Sequence, residues 1–234
     1  MVLMDDIYNP QVIAQEKDYL IVFKPPGMHS APLKKSKGEN IVEWCAEKFP
    51  EIMDLSGRQA GEGGLLHRLD FDTQGLILIA RTRAGMEALL EQQSDRKIVK
   101  EYSAITSESY SYMPGFPEEK PKLPLIKSSY RSYGPGSKET RPLPGDTYTT
   151  EIMENISLSG HLVSFRIRIV KGFRHQIRCH LAWLGQPILN DKLYGKITYG
   201  NGLLALRASS LSFNDPSSGE KRSYSIPALK PHEI

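Results

Sequence analysis

The sequence predicts an α+β fold built on a mixed, mostly antiparallel sheet with flanking helices. Short apolar runs bounded by proline, glycine and polar turns outnumber segments with helical spacing. The helical segments interrupt the strands and do not alternate with them, so a parallel sheet of βαβ units is not indicated. At 234 residues with 39% apolar side chains, the chain can bury one substantial core. One domain over residues 1–234 is therefore expected, with its core at about 12–228.

Taken in order, residues 12–15 and 19–24 read as two short strands joined by Lys17-Asp18, an opening hairpin. Pro25 and Pro26 stop the second strand, because neither can donate to a ladder. Residues 39–49 set Ile41, Trp44, Cys45 and Phe49 at helical spacing, and Pro50 ends that helix. Trp44, an aromatic beside other apolar residues, is assigned to the core. Residues 76–79 have the length and apolar density of a buried strand. Residues 84–93 read as a helix with Met86, Leu89 and Leu90 on one face and Thr82 as N-cap.

Residues 98–105 follow as a strand, whose alternation places Lys100 and Tyr102 on one face and Val99, Glu101 and Ser103 on the other. The segment 107–147 is rich in proline, glycine, serine and tyrosine and too long for a simple connection, so a loop-rich excursion is expected. Its Tyr130, Arg131, Tyr133, Lys138 and Arg141 interleave aromatic faces with cations, as single-strand binders do. Residues 149–157 and 161–170 form a hairpin pattern around Ser159-Gly160, with Phe165, Ile167 and Ile169 alternating with Arg166 and Arg168. Strands at 203–213 and 222–226 close the chain.

No apolar run is long enough to span a membrane, and residues 1–10 carry acids and a proline where a secretory signal needs a basic start. A cytoplasmic protein without membrane partners, acting as a monomer, is the expectation. Cys45 and Cys179 offer neither a disulfide framework nor metal-ligand spacing and are expected as reduced thiols. The net charge of +3 is modest. Its distribution is more telling, with Lys34, Lys35 and Lys37 together, then Arg96, Lys97 and Lys100, then Arg166, Arg168, Lys171, Arg174 and Arg178. Such groups can replace the counterions of a phosphate backbone.

Residues 65–76, L-L-H-R-L-D-F-D-T-Q-G-L, hold too many polar groups for a core and too many leucines for a solvated loop. A strand directly behind such a loop fixes what the loop presents, which is a common setting for catalytic groups. Asp70 and Asp72 resemble the paired acids of a retaining glycosidase only in spacing, since those flank the sugar from opposite sides. His175 and His180, five apart, do not bring both rings to one helix face as zinc hydrolysis requires, and no metal is expected.

The run H-R-L-D-x-x-T-x-G-L at 67–76 resembles the signature of the RluA-type pseudouridine synthases, enzymes that isomerise uridine in RNA. Three further stretches resemble that family in the same order: 18–27, Lys100-Glu101-Tyr102, and 172–181 with its continuation to Gly195. The resemblance covers about residues 12–228 and implies a pseudouridine synthase-like fold, one catalytic domain with a central RNA-binding cleft. It implies an isomerase that needs no cofactor and works on structured RNA, ribosomal or transfer, with the target uridine flipped out. The N-terminal RNA-binding module of many members is not expected, because the first strand begins almost at once.

The resemblance also assigns roles. Asp70 is the catalytic carboxylate, Arg178 its paired cation, and Tyr102 the ring that packs on the uracil. An opposite charge within about 4–6 Å favours a carboxylate's ionised form. Arg68 enters the vacated place in the RNA stack, where a planar cation stacks and hydrogen-bonds at once. His67, Thr73, Arg174, His175 and Gln176 are the remaining expected substrate contacts. Three positions depart from the family pattern: Gln74 stands for serine, Phe173 for arginine, and Arg207 for a frequent histidine. A non-catalytic RNA-binding protein on the same fold is the alternative, and it predicts decay at Asp70, Tyr102 or Arg178, all of which are present.

Overall fold

The structure is a computed structural model that describes residues 6–33, 39–57, 61–107, 116, 118–128, 147–195 and 197–234. In chain order the described residues form β1 (Gln11–Gln15), β2 (Tyr19–Lys24), α1 (Ile41–Ala46), β3 (Gln74–Ala80), α2 (Arg83–Ser94), β4 (Val99–Ser107) and β5 (Leu125–Ser128). Then come β6 (Tyr148–Leu158), β7 (Leu162–Ile169), α3 (Gln176–Leu184), β8 (Leu206–Asn214) and β9 (Lys221–Ser225). Every strand pair with a described register is antiparallel, so the α+β class and the pairing sense are as the sequence predicts.

The chain divides into two compact units, Met1–Lys100 with Ala208–Pro227, and Glu101–Arg207 with Ala228–Ile234. In the first, the strand order is β1-β2-β3-β8, with β9 on β8. Tyr19, Ile21 and Phe23 of β2 pack with Leu76, Leu78 and Ala80 of β3, Met86 and Leu89 of α2, and Leu211 and Phe213 of β8. Every residue of β3 is buried, which is why it reads as a continuous apolar run. The Thr82 hydroxyl caps α2 by accepting the Gly85 N–H at 3.0 Å, and donates to Asp18 at 2.6 Å.

In the second unit the order is β4-β7-β6-β5. Phe165, Ile167 and Ile169 of β7 are buried while Arg166 between them is exposed, as the alternation requires. Strand β5 lies inside the segment expected to be loop-rich; it alternates exposed and buried residues and pairs with β6 from Leu125↔Glu151 to Ser128↔Tyr148. Residues 108–115 and 129–146 of that segment, including its tyrosine and arginine cluster, lie outside the described residues, as does Lys34-Lys35-Lys37.

Helix α1 stops at Ala46, earlier than expected, and Pro50 opens a 3-10 turn, Pro50–Asp54, where its missing N–H is no loss. Trp44 is half-exposed and not core; the Lys48 ammonium lies 4.6 Å above its ring. Helix α3 was not legible as a helix because Gln176 to Ala182 are all buried, so no polar face gives a period. Cys45 and Cys179 are free and buried, and burial pushes the Cys45 thiol up to about 12.

Candidate active site

The first unit holds the loop of residues 64–73 and moors it to β3. Ala80 N–H donates to Gly64 O at 2.8 Å and Leu66 N–H to Leu78 O at 3.1 Å. At the next step the ladder partner is a side chain: the Leu78 N–H donates to His67 Nε2 at 3.2 Å. His67 is buried, and this nitrogen carries no proton, so the ring serves as a surrogate carbonyl for the strand. The resemblance makes His67 a substrate contact, and in the structure one of its ring nitrogens serves the strand.

Beyond His67 the chain leaves the strand and is pinned residue by residue. Leu69 both donates to and accepts from the Ser30 hydroxyl, at 2.9 and 2.8 Å. Thr73 N–H donates to Asp70 O at 3.1 Å, closing a tight turn around the aspartate, and Thr73 itself is buried. Asp70 and Asp72 are half-buried, while Arg68 is exposed and paired with the buried Glu62.

Lys24 is the residue here that sequence reasoning passed over. Its ammonium is fully buried and donates to Pro25 O at 2.8 Å, Met28 O at 2.8 Å and Phe71 O at 3.1 Å, three acceptors for three N–H bonds. Burial pushes this amine down to about 7, against the opposing pull of the Asp70 and Asp72 carboxylates. It thus ties β2 to the peptide after Asp70 and adds a positive charge behind both acids. The signal was a lysine ending an apolar strand before two prolines, where a charge has no solvated face to occupy.

The second unit holds Tyr102, Arg174, His175, Gln176 and Arg178. Tyr102 is buried on β4. Arg178 is buried on α3, and its Nε and Nη2 donate to the two oxygens of Asp191 at 2.7 and 2.8 Å. Burial alone would raise Asp191; the Arg178 hydrogen bonds and charge, with the N–H groups of Tyr194 and Leu193, outweigh it and hold the carboxyl below its ordinary value. Asp191 was legible only as part of a family-like run, with no role attached. Of the five guanidinium N–H donors Asp191 takes two.

His175 sits at the N-cap of α3 with φ 62°; its Nδ1 is 3.2 Å from the Tyr194 hydroxyl and its Nε2 accepts from Arg174. Gln176 is buried and clamps β6, donating to Thr149 O and Thr150 Oγ1 and accepting the Phe173 N–H. Phe173 meets Tyr148 edge-on at 4.7 Å, which gives this departure a packing role, and Arg174 beside it is exposed. Arg207 is fully buried against Glu233 at 3.0 Å.

The basic stretch reads differently in the structure. Arg168 donates to Glu101 at 3.0 and 3.2 Å, and Arg166 lies near Glu154 and Glu101, so glutamates stand opposite both cations.

The family model described as RNA pseudouridylate synthase matches residues 18–183, and the chain belongs to that family. Ribosomal large subunit pseudouridine synthase D of Yersinia pestis is 29% identical over 184 residues, 79% of this chain and 52% of that protein. The human pseudouridylate synthase RPUSD2 is 31% identical over 192 residues, 81% of this chain and 32% of that protein. The chain thus spans about half or less of the length of these relatives. Among solved structures, human RNA pseudouridylate synthase domain containing 1 aligns over 95% of this chain and 84% of its own, with a TM-score of 0.61 and 19% identity. Domain containing 4 gives 0.62 over 95% and 90%. These two likenesses concern the fold.

Proposed function

We propose that this protein isomerises uridine to pseudouridine in RNA, ribosomal or transfer, with Asp70 as the carboxylate acting on a flipped-out uridine. In that reaction the bond from ribose C1′ to ring N1 breaks and a C1′ to C5 bond forms. The C5 proton leaves and N1 ends protonated, so atoms and electrons balance without an added group. The observation that carries the reading is the mooring of Asp70: its loop is tied to β3 by backbone and His67, and to β2 by the buried Lys24 ammonium. A carboxylate held this way is preorganised, which is what a positioned nucleophile or base needs.

In this reading Arg178, oriented by Asp191, and Tyr102 are the further catalytic groups, with Tyr102 packing on the uracil. Family membership over residues 18–183, a span holding Asp70, Tyr102 and Arg178, supports these roles. The test is to map pseudouridines by carbodiimide adduct and primer extension in RNA from cells with the gene, without it, and with Asp70→Asn. The expected result is a site lost in both altered strains. A site that persists with Asp70→Asn removes the assignment.

A further inference from the structure

The Asp70 loop presents an aromatic ring to solvent. Phe71 is 44% exposed, yet its backbone is among the most tightly held in the loop, its carbonyl accepting from Gly27 N–H at 3.0 Å and Lys24 Nζ at 3.1 Å. The ring is not alone: it meets the half-buried His29 imidazole with centroids 4.6 Å apart at 46°. A single apolar side chain on a surface needs no explanation. This one differs in three ways: the backbone beneath it is immobilised, a second ring supports it, and it adjoins Asp70 in the chain.

We propose that Phe71, backed by His29, is a stacking platform for the nucleobase next to the target uridine. This rests on the reading of Asp70 given above. When a uridine is taken out of a single-stranded loop, its neighbour loses a stacking partner. An aromatic face fixed one residue from the acting carboxylate replaces that partner, holds the neighbouring base, and selects for purine or pyrimidine by stacking strength more than by hydrogen bonds. Arg68, on the other side of Asp70 in the chain, is a second exposed planar group able to contact RNA bases.

The test uses the full chain and a synthetic RNA oligonucleotide carrying the uridine found by mapping, made once with its natural neighbours and once with abasic neighbours. Wild type, Phe71→Leu and Phe71→Trp are compared for pseudouridine formation, with thermal unfolding as the folding control. On the natural oligonucleotide Phe71→Leu lowers kcat/KM by about tenfold or more, chiefly through KM, the size expected for one base–aromatic stack. Phe71→Trp loses less. On the abasic oligonucleotide the leucine variant and wild type converge. An equal loss on both oligonucleotides, or no loss on the natural one, overturns the platform while leaving the role of Asp70 intact. Failure of wild type to form pseudouridine on the natural oligonucleotide refutes the isomerase reading and the platform with it.

Discussion

Arg178 and Asp191 form a two-pronged ion pair, Nε to Oδ2 at 2.7 Å and Nη2 to Oδ1 at 2.8 Å, with side chains 8% and 0% exposed. Asp191 also accepts the N–H groups of Leu193 and Tyr194 at 2.9 and 3.0 Å, so it fixes the guanidinium and the turn beyond it together. Removing one partner of a buried pair leaves an uncompensated charge, at a cost of roughly 3–5 kcal/mol. Asp191→Ala is therefore expected to lower the thermal midpoint sharply. Circular dichroism melts check it, and a midpoint within a degree of wild type would contradict the pairing.

Acid should act on the second unit in two stages. Burial pushes the His180 imidazole from 6.5 down to about 3, with Nδ1 held 2.8 Å from the Thr150 hydroxyl. Between those values the unfolded chain binds a proton that the folded chain refuses, so stability falls as pH drops from 6.5 toward 3. Asp191, held below its ordinary 3.8, contributes stability above that value and loses it as pH falls through its folded pKa. His180→Asn removes the first stage, and its acid-unfolding curve should be flatter between pH 6 and 4, as read by far-ultraviolet circular dichroism.

Lys24→Met keeps the apolar stem and deletes the ammonium. Three carbonyls then lose a donor, while the desolvation of a charge is relieved, so the effect on global stability is small compared with the effect on the loop. Amide exchange at Gly27 and Thr73 is expected to accelerate, and pseudouridine formation to fall by about tenfold or more, since small misplacements of a reacting group cost that much. Unchanged exchange in both amides would show that the ammonium does not hold the loop.

Gly75 has φ 127°, and a Cβ there would lie 2.3 Å from Ala208 O and 2.5 Å from its N, backbone atoms that cannot swing aside. Gly75→Ala is expected to destabilise by about 3 kcal/mol or more, through strained φ and loss of close strand approach. Urea unfolding at fixed pH measures it directly.

The period-two and apolar-run signals located most of the strands, because a half-buried or fully buried strand writes its surroundings into its residue types. Helix α3 and strand β5 escaped for opposite reasons. In α3 nearly every side chain is buried, so no face stands out; in β5 a four-residue strand sits within a stretch whose composition signals loop. At the site, Asp70 and its neighbours stood out because charges crowd among leucines. Lys24 and Asp191 did not, since each acts only after distant segments converge: Lys24 meets Phe71 across 47 positions and Asp191 meets Arg178 across 13. The arginines of β7 were legible as charge, while the glutamates opposite them were not, as charge on one strand says nothing of its neighbours.

The enclosure of Lys24 has a practical corollary. A lysine whose amine sits near 7 and has no solvent exposure is intrinsically nucleophilic yet sheltered from electrophiles. Brief treatment with an acylating reagent should modify the surface lysines and spare this one. Slow acylation at Lys24, followed by peptide mass spectrometry, then becomes a clock for how often the segment carrying Asp70 lifts away, and one that RNA occupancy should slow.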